Sequence, residues 1–160
     1  MRVLIVSDTH GRHTSLDRAL KEAGDIDMFI HLGDVEGGED YIEAVVECEK
    51  HMIRGNNDFF SYLPAEEEFW IGKKKVFITH GHSYYVSMET EQIREEGAAR
   101  KCGHYYVRSH PIVRILKKRD GITVLNPGSL SFPRQEGRKS SYMILETDGE
   151  EKYEFVQHFL

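Results

Sequence analysis

As far as Asp58 the chain reads as three short strand-like runs, each ending abruptly in a polar cluster, with two helix-patterned stretches between them. Residues 3–6 form an unbroken apolar run bounded by Ser7-Asp8, which reads as a strand buried on both faces. Thr14 with Asp17 has the form of a capping box. Leu16, Ala19, Leu20 and Ala23 then recur at helical spacing, and Gly24 stops the helix. Met28-Phe29-Ile30 predicts a second buried strand, ending at Leu32-Gly33-Asp34. Tyr41, Ile42, Val45 and Val46 mark one face of a second helix, and residues 51–54 read as a short strand entering Gly55-Asn56-Asn57-Asp58. The order β-α-β-α-β favours a parallel sheet with right-handed crossovers.

The remainder is built from hairpins. Phe69-Trp70-Ile71 and Val76-Phe77-Ile78 flank a turn at Gly72-Lys73. Residues 88–100 read as a polar helix. Residues 113–116 and 122–125 flank Asp120-Gly121, and residues 142–145 and 153–156 flank Asp148-Gly149. The expected fold is α/β, with two stacked mixed sheets flanked by helices. At 160 residues the chain fits a single domain spanning 1–160.

Composition removes some functions. A net charge of −6, from 21 basic and 27 acidic residues, argues against stable binding to a nucleic-acid backbone. It leaves small phosphate esters open, because a bound cation supplies positive charge locally. The apolar run near the N-terminus is too short to cross a membrane. Two cysteines, Cys48 and Cys102, suit a reducing cytoplasm.

The chemistry lies where strands end. The expected strands of the first half close on Asp8-Thr9-His10, Gly33-Asp34 and Gly55-Asn56-Asn57-Asp58, and the strand after the first hairpin closes on Thr79-His80-Gly81-His82. Parallel strands bring their carboxyl ends together, which is where open α/β sheets bind ligands. Oxygen and imidazole donors together suit Mn²⁺, Fe or Zn²⁺ better than an all-oxygen Ca²⁺ or Mg²⁺ cage. A carboxylate shared by two cations holds them ~3.5–4 Å apart, a separation that clamps a phosphoryl group. Taken singly the motifs say less: Gly-Asp is a common turn dipeptide, and a histidine after a buried strand is often a core residue.

In sequence order these motifs resemble the calcineurin-like metallophosphoesterases, and most closely their small bacterial phosphodiesterases. The resemblance runs through Ser7-Asp8-Thr9-His10-Gly11, His31-Leu32-Gly33-Asp34, Arg54-Gly55-Asn56-Asn57-Asp58, Thr79-His80-Gly81-His82, Asn126-Pro127-Gly128-Ser129 and Pro133-Arg134. It implies two divalent ions, Mn²⁺ first, with Fe, Zn²⁺ and Ni²⁺ as alternatives. Asp8 and His10 would hold the first ion, Asp34 would bridge, and Asn56 and His80 would hold the second. His110 would complete the first site. Asn57 and Asp58 would serve catalysis, Asp58 from behind the ligands. A metal-bridging hydroxide would attack phosphorus in line. The implied substrate is a small-molecule or nucleotide phosphoester, and the implied assembly a dimer or tetramer in the cytoplasm.

The sequence departs from that family twice. Asn57 stands where many members carry a histidine. More seriously, Val107-Arg108-Ser109-His110 occupies the place of Gly-His-x-His, so Arg108 replaces a histidine expected on the second ion. A guanidinium beside a dication is repulsive. This feeds a rival reading, a non-catalytic interaction scaffold on the same fold with an impaired second site. Gly103-His104 is a weaker candidate for the missing ligand, because it falls where the preceding strand should begin. One permitted codon set for residues 101–110, read one nucleotide downstream, encodes Asn-Ala-Asp-Ile-Ile-Met-Phe-Gly-His-Thr. That motivates the hypothesis of a frameshift between about residues 101 and 114, which an uninterrupted gene sequence with incompatible codons would overturn.

Other features read as structural. Lys73-Lys74-Lys75 and Lys117-Lys118-Arg119 are solvated edges, and Trp70 is core. Phe59-Phe60 and Tyr84-Tyr85 either line a pocket or pack, and Arg134 either contacts phosphate or braces its loop.

Overall fold

The computed structural model describes residues 1–84, 91–107, 116–119, 122–134 and 137–160. In chain order the elements are β1 (Arg2–Val6), α1 (His13–Ala23), β2 (Met28–His31), α2 (Glu39–Val45), β3 (Glu49–Met52), β4 (Glu66–Ile71) and β5 (Lys74–Thr79). A 3-10 turn at His82–Tyr84 follows. Then come α3 (Glu91–Ala99), β6 (His104–Val107), β7 (Leu116–Arg119), β8 (Ile122–Leu125), β9 (Ser141–Thr147) and β10 (Tyr153–Phe159).

The strands form two five-stranded mixed sheets, ordered β10-β9-β1-β2-β3 and β4-β5-β6-β8-β7. β1, β2 and β3 are parallel, and β9 closes against β1 antiparallel. In the second sheet β5, β6 and β8 are parallel, with β4 and β7 antiparallel at the two edges.

Alternation along the strands assigns each residue to a layer. Val3 and Ile5 of β1, Met28 and Ile30 of β2, and Met143 and Leu145 of β9 meet Val76 and Ile78 of β5 and Leu125 of β8 in one core between the sheets. Leu4, Val6, Phe29, Tyr142 and Ile144 face the other way, onto Leu16, Ala19 and Ala23 of α1 and Ile42 of α2. The second sheet's outer face carries Phe77 and Val124 against Ile93 of α3. Both faces of β1 and β2 are therefore covered, which is why their sequences are continuous apolar runs.

Three local expectations are corrected. Helix α1 begins at His13 with Arg12 as its N-cap and no side-chain cap bond, so Thr14 lies inside the first turn and caps nothing. Gly24 does end the helix, at φ 68°, with its N–H on the carbonyl of Leu20. β3 spans Glu49–Met52, earlier than residues 51–54, in a register that pairs Met28 with Glu49. Trp70 is 62% exposed rather than core. Its neighbours Phe69 and Ile71 face the inter-sheet core, which turns Trp70 outward on an edge strand.

Candidate metal centre

The loops after β1 and β2 are built alike. Asp8-Thr9-His10-Gly11 and Asp34-Val35-Glu36-Gly37 each place the first, third and fourth residues at positive φ: 57°, 48° and 63° in one loop, 58°, 49° and 78° in the other. Non-glycine residues rarely adopt this region, so four of them in two short loops mark backbone held by its surroundings. The surroundings are each other: Asp8 N–H donates to Gly33 O (3.0 Å), His10 N–H to Asp34 O (2.9 Å) and Gly11 N–H to Val35 O (2.9 Å). On the far side of the first loop, Leu130 and Ser131 donate backbone N–H groups to Ser7 and Asp8, and Ser131 Oγ donates to Thr9 O at 2.7 Å.

Asp8, Asp34 and His80 come together here, each offering a ligand atom within 4.8 Å of the others. Asp8 and Asp34 are fully buried and His80 is 2% exposed. His80 lies at the end of β5, so the cluster spans the gap between the two sheets. Its Nδ1 faces the carbonyl of Leu32 at 2.7 Å, and only a donor satisfies a carbonyl there. In its neutral form the ring therefore carries its proton on Nδ1, and Nε2 faces Asp34 Oδ2 (3.5 Å) and Asn56 Oδ1 (3.1 Å). His10 repeats the device. Its Nδ1 donates to Glu36 Oε1 at 2.8 Å, which turns Nε2 toward Asp34 Oδ2 at 3.8 Å.

Asp34 thus lies between two imidazole lone pairs. Burial disfavours its charge, and positive charge on His80, two hydrogen bonds from Asn57 and positive charge on His10 outweigh that and hold its carboxyl below the usual range; with both rings neutral, a bound cation would supply that charge instead. Asn57 donates its backbone N–H to Oδ1 (2.9 Å) and its side-chain amide to Oδ2 (2.8 Å). Electron-pair donors converging on a buried carboxylate are a poor arrangement without a cation and a good one with it. The residues fit divalent ions.

The supports are also in place. Asp58 accepts three backbone N–H groups, from Gly55 (2.7 Å), Val35 (3.1 Å) and Glu36 (2.7 Å), tying the third loop to the second. A Cβ on Gly33 would lie 2.6 Å from the Gly55 nitrogen and 2.8 Å from His80 Nδ1, so only glycine admits this approach. His31, fully buried, stays neutral. Burial pushes its pKa down to about 4, while its ring joins Thr9 Oγ1 and the Gly33 N–H.

His10, Asn56 and Asn57 adjoin the trio, and Asp58 lies behind it. His110 and Arg108 fall outside the described residues. His104 opens β6 in register with Val76, whereas Val107 pairs with Thr79, so His104 is three residues, ~10 Å, from the end that carries His80. Tyr84, half-buried, donates to Glu66 and packs edge-on to Phe77, away from the metal-competent cluster. Glu36 was missed by sequence reasoning. The signal was present in the match of Asp34-x-Glu36-Gly37 to Asp8-x-His10-Gly11.

Residues 1–150 match the calcineurin-like phosphoesterase superfamily domain. The chain belongs to this superfamily. Its relatives include the probable metallophosphoesterase YsnB of Bacillus subtilis, 31% identical over 91% of this chain and 83% of that protein. Phosphoesterase folds of known structure superpose over nearly its whole length. A predicted phosphoesterase from Streptococcus pneumoniae reaches a TM-score of 0.83 at 23% identity, covering 99% of this chain and 88% of its own. An archaeal phosphodiesterase reaches 0.74 at 22% identity over the whole of both chains. Zinc-complexed Vps29 from Entamoeba histolytica reaches 0.73 at 21% identity over 99% of each. Calcineurin-like phosphoesterases depend on divalent metal, and Asp8, Asp34 and His80 are the candidate metal-binding trio. Among the described residues no helix is long and apolar enough to cross a membrane.

Proposed function

We propose that the chain is a divalent-metal-dependent phosphodiesterase acting on small or nucleotide phosphoesters. The observation that carries this reading is Asp34, a buried carboxylate flanked by His80 Nε2 at 3.5 Å and His10 Nε2 at 3.8 Å. Asp8, His10, Asp34, Asn56, His80 and His110 would hold two ions, Mn²⁺ in the first instance. Bound there, such ions lower the pKa of water and neutralise charge on a phosphoryl group.

The chain's own residues set the stage. Glu36 and Leu32 fix the tautomers of His10 and His80, so both present lone pairs. Asn57 orients the Asp34 carboxylate through two hydrogen bonds. Asp58 locks the loop that carries Asn56 and Asn57. Asn57 and Asp58 therefore act as positioning residues. The chain's two cysteines, Cys48 and Cys102, suit a reducing cytoplasm.

The test is hydrolysis of bis-p-nitrophenyl phosphate with added Mn²⁺. Turnover that Asp34→Asn abolishes supports the reading, and turnover indistinguishable from background removes it.

Arg108 favours a second reading, a scaffold that keeps at most one ion, and the fold likeness to Vps29 makes it concrete. Metal content separates the two. Two ions per chain support the enzyme; one or none supports the scaffold.

A further inference from the structure

Beside the metal-competent cluster lies a cavity of about 610 Å³ that shares Glu36 and Asn57 with it. These are the residues that touch His10 and Asp34. The cavity is thus a continuation of the site rather than a separate hollow. Its wall carries Phe59, Phe60 and Tyr62, exposed by 81%, 102% and 75%. Aromatic rings this open are rare on one short loop, and they bury little among the described residues.

The loop is held in place. Asp58 is pinned by its three backbone N–H groups. Ser61 N–H donates to Asp58 O at 3.3 Å, Ser61 Oγ donates to Glu39 at 2.7 Å, and Leu63 is buried against the helical layer. The rings are therefore presented on a tied loop, which reduces the entropy lost when something stacks on them.

Charge narrows the occupant. The other walls include Glu36, Glu39, Asp40 and Asp58, and no Lys, Arg or His is among the described lining residues. A second phosphate or a carboxylate would be repelled here. A flat, uncharged ring with N–H donors at its edge would be favoured, stacking on phenyl faces and offering its donors to carboxylates.

We infer that this cavity is a nucleobase subsite, and that the chain's substrates are nucleoside phosphoesters whose base stacks on Phe59 or Phe60. The inference rests on the phosphoesterase reading for its purpose, but it is measurable without turnover.

Saturation-transfer NMR is run on the full chain with adenosine, and with ribose as the control that lacks a base. The base protons of adenosine are expected to receive saturation and ribose none. Phe59→Ala or Phe60→Ala should weaken adenosine binding by about tenfold, the scale of one base–aromatic stack. Trp70→Ala, on another exposed ring, should leave it intact. Asp34→Asn should keep adenosine binding while abolishing hydrolysis. If hydrolysis fails but adenosine still binds through Phe59 or Phe60, the phosphoesterase reading falls and the subsite stands. No transfer to adenosine, or transfer unaffected by both phenylalanine variants, overturns the subsite. Self-association that Phe60→Ala abolishes, without adenosine binding, also overturns it and assigns the loop to a contact between copies of the chain.

Discussion

His80 and Leu32, the one at the end of β5 and the other just past β2, are joined by a 2.7 Å hydrogen bond that crosses from one sheet to the other. His80→Ala would remove a candidate ligand atom and also leave a buried carbonyl without its donor. Denaturant unfolding of the metal-free protein should show a loss of about 1–3 kcal/mol. Metal analysis of the same variant should show reduced ion content. A variant with unchanged stability would mean that Leu32 finds another donor.

Glu36 touches no expected ligand atom of the ions, yet it sets which nitrogen of His10 is protonated. Glu36→Gln is expected to lower metal affinity by roughly 10–100-fold, the usual scale for losing a partner of a ligating histidine. Titration of the stripped protein with Mn²⁺ checks this. Because Glu36 also lines the adjoining cavity, affinity for the ion, rather than turnover, is the diagnostic quantity.

Asp58→Ala would strand three backbone N–H groups at once. A loss of stability of at least about 3 kcal/mol is expected, read from the unfolding midpoint. Asp58→Asn retains an acceptor and should lose less.

One pH effect follows from the edge of the first sheet. His51 stacks on Phe69 at 3.6 Å and reaches Glu67 and Glu49. Burial lowers its pKa, but the two glutamates prevail and raise it above the ordinary value of 6.5. A raised folded pKa contributes stability that is fully present below the unfolded value and is lost as pH rises through the folded value. His51→Gln should therefore destabilise more at pH 5 than at pH 9. The difference should be about 1 kcal/mol or less, because Glu49 and Glu67 are partly solvated. Equal losses at both pH values would contradict the shift.

The strands most legible in the sequence were those covered on both faces. Val3 to Val6 and Met28 to Ile30 needed no alternation to be seen, and the polar cluster closing each is where the donors gather. Trp70 was misread because composition does not say which face of an edge strand a helix will cover, and α3 reaches Phe77 but leaves Trp70 open. Thr14 was misread because a capping pattern fixes only a preference, and the strained exit through His10 and Gly11 starts the helix at His13. The supports of the site were the least legible. Backbone groups such as the Leu32 carbonyl leave no mark in a sequence, and Glu36 is recognisable only when its loop is laid beside that of Asp8.

The first sheet supplies Asp8, His10, Asp34 and Asn56, whereas His80 comes from the second. An ion seated among them would act as a clasp across two halves of the protein. Its escape and the parting of the sheets would become linked motions, each slowing the other. Loading with metal should then protect amides in β1 and β5 from hydrogen exchange together. The protection would extend to residues far from any ligand, because what the clasp retards is the separation of the layers.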